Sequence, residues 1–239
     1  MCSIQAETEK LLSAIAISKS VTLGSKSIIE GTLAGQRVTI CVGGMGKVNA
    51  AHAATLLLTR FKPRALLVFG IGGAYPSSGA HVGDVALAKE EIAGDDGVLT
   101  RDGFKDTEYI GIPLLKTATS IIYSTYSASE PLVNRSLKSL HAHQAAGLGT
   151  IHVGSFVTLS TCTGTAARAK ELELRYHGLC ENMEGAAAAQ VAELHGVPWL
   201  EVRGISNLVE DRDLKKWDIP RAAHAAQQAV KRIVEGWGS

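Results

Sequence analysis

The chain has 239 residues, 46% of them hydrophobic and 20% charged, and a formal net charge of +1. That length suffices for one sizeable core, and the near-neutral balance excludes a surface built to collect nucleic acid or anionic lipid. No apolar run reaches the length of a bilayer, and the opening MCSIQAETEK lacks the basic start and apolar stretch of a secretory signal, so the expected location is the cytoplasm.

The opening acidic pair, Glu7 and Glu9 in AETEKLL, follows a short strand candidate, and local context says no more of it than a solvated surface pair. SIIEGTLAGQRVTI (27–40) reads as a hairpin turning at Ala34-Gly35 and feeding the strand RVTICVGG (37–44). GKVNAAHAATLLLTR (46–60) has helical length and stops at Lys62-Pro63. The strands ALLVFGIGG (65–73) and DVALAKE (84–90) follow, then a polar stretch from Asp95 to Pro113 that reads as a mobile or substrate-covering loop. Beyond it come the strand HVGSFVTLS (152–160), the helix EGAAAAQVAELHG (184–196), the strand WLEVRGIS (199–206) and the helix IPRAAHAAQQAVKRIVEG (219–236). Strands alternating with helices predict a single α/β domain over 1–239 with a largely parallel sheet and ligands beyond the C-terminal strand ends.

Several stretches carry chemistry in outline. GGMGKVNAA (43–51) places glycines between strand and helix, where backbone N–H groups approach an anion or a sugar, but it is neither a Walker loop nor a GxGxxG turn; tight packing explains the glycines equally well. FGIGGAY (69–75), with Gly72 and Gly73, repeats the device on the next strand, so the two ends suggest one crevice. A phosphate site calls for an arginine nearby, yet Arg64 lies at the far end of that strand, which favours water as second substrate. In ENMEGAAAAQ (181–190), Glu184 heads a helix, either as a capping carboxylate or as the acceptor for a sugar diol, and Met183 beside it offers core packing or an apolar wall. Cys2, Cys41, Cys162 and Cys180 lack CxxC or Cys/His spacing and predict reduced thiols, with Cys41 and Cys162 as small core residues. The eight histidines form no HExxH or metal grouping, and His141 and His143 sit in a loop-like stretch, so no metal or organic cofactor is expected.

Taken together, GMGKVNAAHAATLLL, VFGIGGAYP with VGDVALA, and NMEGAAAAQVAELHGVPWLEVRGISN resemble, in order and spacing, the nucleoside phosphorylase and nucleosidase family, above all its nucleosidase branch. Within that branch EVRGISNLVEDRDLKKWDI (201–219) is similar to the futalosine hydrolases, which release hypoxanthine in the alternative menaquinone pathway. The resemblance implies a three-layer α/β domain with a central mixed sheet flanked by helices. It puts Glu184 and Met183 on the ribose, Glu9 on the attacking water, and Ser206 and Asn207 against the purine. It puts STCTGT (160–165), hence Thr161, Cys162 and Thr163, in the purine-stacking loop, without the aromatic that adenine-specific relatives have there. Where those relatives have aspartate, Asn207 offers an amide whose NH₂ can donate to a 6-oxo group and whose carbonyl can accept from N7–H, which predicts hypoxanthine as the leaving base. The implied partners are a nucleoside, water and further copies in a homo-oligomer, and Arg101, Lys105 and Arg212 are candidates to meet a 5′ carboxylate. Competing readings are an adenine-directed nucleosidase, a 6-oxopurine phosphorylase and a catalytically silent nucleoside-binding protein.

Overall fold

β-Branched runs become strands and alanine-rich stretches become helices in the computed structural model, which describes residues 1–118, 120–142 and 148–238. After a 3-10 turn at Gln5–Glu7 and a helical turn α1 (Glu9–Leu12), strands β1 (Ala16–Leu23), β2 (Lys26–Leu33) and β3 (Gln36–Val42) form an antiparallel sheet. The β2–β3 turn is the expected one: Ala34 and Gly35 both take positive φ (48° and 78°), as a tight two-residue hairpin requires. The run at 37–44, however, does not enter the main sheet. β3 pairs with β2, and beyond that Val42 meets only an isolated bridge from Cys2 among the described residues.

The main sheet is built from β4 (Leu66–Ala74), β5 (Val85–Ala93), β10 (Thr125–Ser127), β11 (Ile151–Thr158), β12 (Cys180–Asn182) and β13 (Trp199–Leu208). Its order is β10-β5-β11-β12-β4-β13, and β13 returns to pair with β5, so the last five strands close on themselves. The pairs β5–β11, β11–β12 and β4–β13 are parallel, whereas β12–β4, β13–β5 and β10–β5 are antiparallel. The sheet is therefore mixed rather than largely parallel. The three-residue β12 and the doubling-back of β13 create the antiparallel joins, and neither leaves a periodicity to read.

Helices α2 (Lys47–Phe61), α4 (Glu130–Ala142), α5 (Ala166–Tyr176), α6 (Gly185–Leu194) and α7 (Ile219–Glu235) accompany the strands. α7 buries Ala222, Ala226, Ala229, Val230 and Ile233 along one face against β13 and β4. It comes so near that a Cβ on Gly204 would stand 1.9 Å from the Ala222 carbonyl oxygen. Asp218 caps it by accepting from the Arg221 N–H, with Pro220 in the first turn. The continuous core includes fully buried Trp199, Phe156, Leu200 and Ile205.

The stretch expected as a loop at 95–113 is instead a hairpin, β6 (Gly97–Thr100) with β7 (Gly103–Asp106), followed by a turn of helix, α3 (Thr107–Ile110). The two runs are only four residues each and both begin with glycine, too short to show an alternation, and Asp106 caps α3 by accepting from the Glu108 and Tyr109 N–H groups. A two-residue pair, β8 (Leu115–Lys116) and β9 (Ile121–Ile122), leads on to β10. His141 lies in the last turn of α4, whereas His143 falls outside the described residues.

Candidate active site

The segment that follows β12 meets the middle of β13, itself bonded to the middle of β4, and the loop after β3, and the glycines of that loop have a specific task. Gly44 and Gly46 adopt φ of 94° and 91°, which an L side chain resists, and this aims the Gly46 N–H at the Glu184 carboxylate, Oε1, 2.8 Å away. The other Glu184 oxygen accepts from Arg203 Nη2 at 3.1 Å. Glu184 therefore does not cap its helix with its side chain. The start of α6 is served instead by Asn182 Oδ1, which accepts from the N–H groups of Glu184 (2.9 Å) and Gly185 (2.7 Å), and by Thr158 Oγ1, which accepts from Ala186 N–H at 2.8 Å. With its backbone held and each carboxylate oxygen taking one donor, buried Glu184 keeps further lone pairs to accept additional hydrogen bonds.

Arg203 is the residue that sequence reading missed. It is 2% exposed and spreads its guanidinium over Glu201 Oε1 (Nε, 2.6 Å), the Ile71 carbonyl (Nη1, 2.9 Å) and Glu184. A sequence signal existed: a glutamate and an arginine two apart in WLEVRGIS share a strand face, and such a pair in an apolar run is an ion pair in the making. Burial opposes the charge, but Glu201, Glu184 and Glu7 hold the guanidinium protonated above even its ordinary range.

The two N-terminal carboxylates separate. Glu7 is buried, and its oxygens accept from the N–H groups of Ser3 (2.8 Å), Ile4 (3.1 Å) and Ile71 (2.9 Å), which locks the chain start beneath β4. Glu9, the first residue of α1, is exposed, and among the described residues no hydrogen bond or ion pair joins it to Glu184, Arg203 or Asn207; of the two carboxylates it is Glu7 that lies beside Arg203. Gly72 and Gly73 are demanded by crowding: a Cβ on Gly72 would lie 2.4 Å from Cys180 Sγ, and one on Gly73 2.8 Å from Val209 Cγ2 and 3.1 Å from Asn207 Nδ2.

β13 carries an irregularity between Ile205 and Asn207 that leaves Ser206 as the extra residue. Ser206 Oγ lies 2.7 Å from Asn207 Oδ1 and 3.2 Å from the Gly72 carbonyl, and Asn207 Nδ2 donates to the Leu208 carbonyl at 2.9 Å. One amide hydrogen and one carbonyl lone pair of Asn207 stay available. Asn207 borders a small hollow with Thr163, Arg212 and Trp217, where the Arg212 guanidinium stacks 4.7 Å from the Trp217 ring centroid. Trp217 thus brings an aromatic to a site that lacks one at Cys162. Cys162 itself is exposed, not core, with Sγ 3.4 Å from the sulfur of half-buried Met183, and burial among carboxylates pushes its thiol up. Thr161 is exposed beside Cys162, and the Thr163 N–H is tethered to Glu181 Oε1 at 2.8 Å. Cys41 is buried as expected, and all four cysteines are free.

Lys47, the cation of the glycine loop, pairs with Asp95 at 2.5 Å and Asp96 at 2.9 Å. Burial works against its charge, but these hydrogen bonds raise its pKa, and the reciprocal bonds, with the Ser160 N–H, lower that of Asp95. Of the 5′-group candidates, Arg101 is exposed, Lys105 lies on β7, and Arg212 stacks on Trp217. Among the described residues no group of three or more His, Cys, Asp or Glu could hold a metal, and no helix is long and apolar enough to cross a membrane.

A family profile described as the phosphorylase superfamily matches residues 2–235. The futalosine hydrolase of Acidothermus cellulolyticus is 32% identical over 199 residues, 83% of this chain and 75% of that protein. The futalosine hydrolase of Thermus thermophilus is 31% identical over 191 residues, 80% of this chain and 78% of that protein. Among solved structures, the 5′-methylthioadenosine/S-adenosylhomocysteine nucleosidase of Neisseria meningitidis, in complex with methylthio-immucillin-A, superposes with a TM-score of 0.83 at 23% identity, over 98% of this chain and 96% of that one.

Proposed function

Because the chain belongs to the phosphorylase superfamily, with futalosine hydrolases among its relatives above 30% identity, we propose that it hydrolyses the N-glycosidic bond of futalosine, releasing hypoxanthine in the alternative menaquinone pathway. The observation that carries the base choice is Asn207: buried at the end of β13, it retains one donor and one acceptor for the O6/N7 edge of a 6-oxopurine. Adenine presents an amino donor at position 6, and an amide aligned for hypoxanthine would leave a buried polar group unmatched, at a cost of about 1–3 kcal/mol.

In this reading Glu9, which the family resemblance puts on the attacking water, takes a proton from it as the water oxygen bonds to C1′. The C1′–N9 bond breaks, its electron pair leaves with the base, and N7 takes a proton that originates in solvent and is held by Asn207. Glu184 grips the ribose hydroxyls and tolerates the positive charge growing on the sugar. Met183, Ser206, Gly72, Gly73 and the Thr161–Thr163 loop wall the nucleoside, and Trp217 offers a stacking surface. The products are hypoxanthine and the hydrolysed sugar, so no cofactor is required.

Water, rather than phosphate, is favoured as acceptor by the commitment of the cations. Arg203 is held by Glu184 and Glu201, and Lys47 by Asp95 and Asp96. The cytoplasm is the proposed location. A homo-oligomer is supported by exposed apolar side chains at the start of α2 (Met45, Val48) and around α3 (Leu99, Tyr109, Ile112). The test is hypoxanthine release from futalosine beside methylthioadenosine, inosine, and inosine with phosphate. Phosphate-independent release from futalosine supports the reading; turnover of methylthioadenosine in its place would transfer the site to the adenine-directed nucleosidases.

A further inference from the structure

Behind the ribose site lies a second carboxyl cluster that the proposed chemistry does not use. Glu91 on β5 and Glu201 on β13 are both 0% exposed. A Cβ on Gly185, at the start of α6, would lie 2.1 Å from Glu91 Oε1 and 2.2 Å from Glu201 Oε2, so these two oxygens share the few ångströms above one Cα. Glu201 Oε1 takes the Arg203 Nε–H, but Glu201 Oε2 is a buried acceptor with no hydrogen-bond partner. Glu91 accepts from Thr158 Oγ1 (Oε2, 2.7 Å) and Asn182 Nδ2 (Oε1, 2.9 Å). Two buried carboxylates at this range cannot both stay ionised, since each is stripped of water and repels the other.

We propose that Glu91 is a neutral acid whose O–H, at Oε1, donates to the orphan Glu201 Oε2, and that this shared proton makes Glu91 a positioning residue for Glu184. The unfilled acceptor then has its donor. Two lines run from Glu91 to the ribose carboxylate: through Asn182 to the Glu184 and Gly185 N–H groups, and through Glu201 and Arg203 to Glu184 Oε2. Burial first, then the Glu201 charge and hydrogen bond, push Glu91 well above the usual carboxylate range, while Thr158 and Arg203 act against them. The groups facing the pair are Thr158 of β11, Cys180 and Asn182 of β12, Arg203 of β13 and the N-terminus of α6; of the titratable ones, Cys180 is itself pushed up by burial, so Arg203 is the one charge beside it.

Infrared difference spectroscopy of the whole protein at neutral pH reads the proton directly. The carbonyl stretch of a neutral carboxylic acid should be present in the wild type and disappear in both Glu91→Gln and Glu201→Gln; in the latter the introduced amide becomes the donor and Glu91 ionises. Any acid band from Glu181, whose pKa burial also raises, would persist in both variants. Absence of the band from the wild type, or its persistence unchanged in Glu91→Gln, would overturn the assignment. The kinetic arm rests on the nucleosidase reading, whereas the spectrum does not, so the two fail separately. Glu91→Ala should lower kcat by about tenfold or more. Glu91→Gln, which regains the donor to Glu201 at the loss of the acceptor for Asn182, should recover part of that and lose the alkaline fall of kcat expected of the wild type. Equal losses in both variants with unchanged pH profiles would refute the positioning role.

Discussion

Glu7 and Glu9 stand two residues apart in opposite environments, one enclosed by backbone N–H groups and the other exposed to solvent. With Glu9 as the proposed general base, Glu9→Gln should lower kcat by roughly 10²–10⁴-fold, the usual weight of such a group, with nucleoside affinity retained by calorimetry. Glu7→Gln places an NH₂ group against backbone donors and should appear as a lower Tm, with a loss of about 1–3 kcal/mol. The reverse pattern would exchange the two roles. Sequence alone did not sort this pair, since i and i+2 acids near a chain start look alike until the burial of one is known. Glu184 was legible, because a carboxylate ahead of an alanine-rich helix stands out; its partners Gly46 and Arg203 come from distant segments and were not. Arg203→Met leaves Glu201 and Glu184 buried without their counter-charge, and the expected cost is about 3–5 kcal/mol, measurable by urea unfolding.

The strands and helices of the sequence fall close to where periodicity places them, and what went unread is how they join. The 65–73 run is β4 at 66–74 and the 199–206 run is β13 at 199–208, because continuous β-branched stretches leave little choice. The 37–44 run belongs to the smaller sheet against expectation, since strand pattern carries no information about partner, and β12 is too short to show a pattern at all. The hairpin at 97–106 is masked by the shortness of its strands, yet the Asp95–Asp96 turn before it ties Lys47 and, through Asp95 Oδ2, the Ser160 N–H, joining the glycine loop to the start of the 160–165 loop. Asp95→Asn should loosen that join. Faster amide exchange at Ser160 and around Gly46, with the sheet unchanged, is the expected result; uniform protection would deny the tether its role.

For the whole molecule, Glu91 and Asp95 pull the pH response of stability in opposite directions. Glu91 binds its proton more tightly folded than unfolded, so its contribution is complete below the ordinary carboxylate range and declines as pH rises towards its folded pKa. Asp95 is shifted the other way and stabilises above the ordinary aspartate range, losing that contribution as pH falls through its lowered value. Tm should thus fall on both sides of an acid-to-neutral maximum. Asp95→Asn should flatten the acid limb and Glu91→Gln the alkaline one; limbs that ignore both substitutions would place the titrating groups elsewhere. The proposed base choice turns on Asn207. Its most direct test is kcat/KM for futalosine and for its 6-amino counterpart, without phosphate, in the wild type and in Asn207→Asp. The wild type should prefer the 6-oxo substrate by about tenfold or more, and the aspartate should reverse the order. An unchanged preference would contradict that role for Asn207.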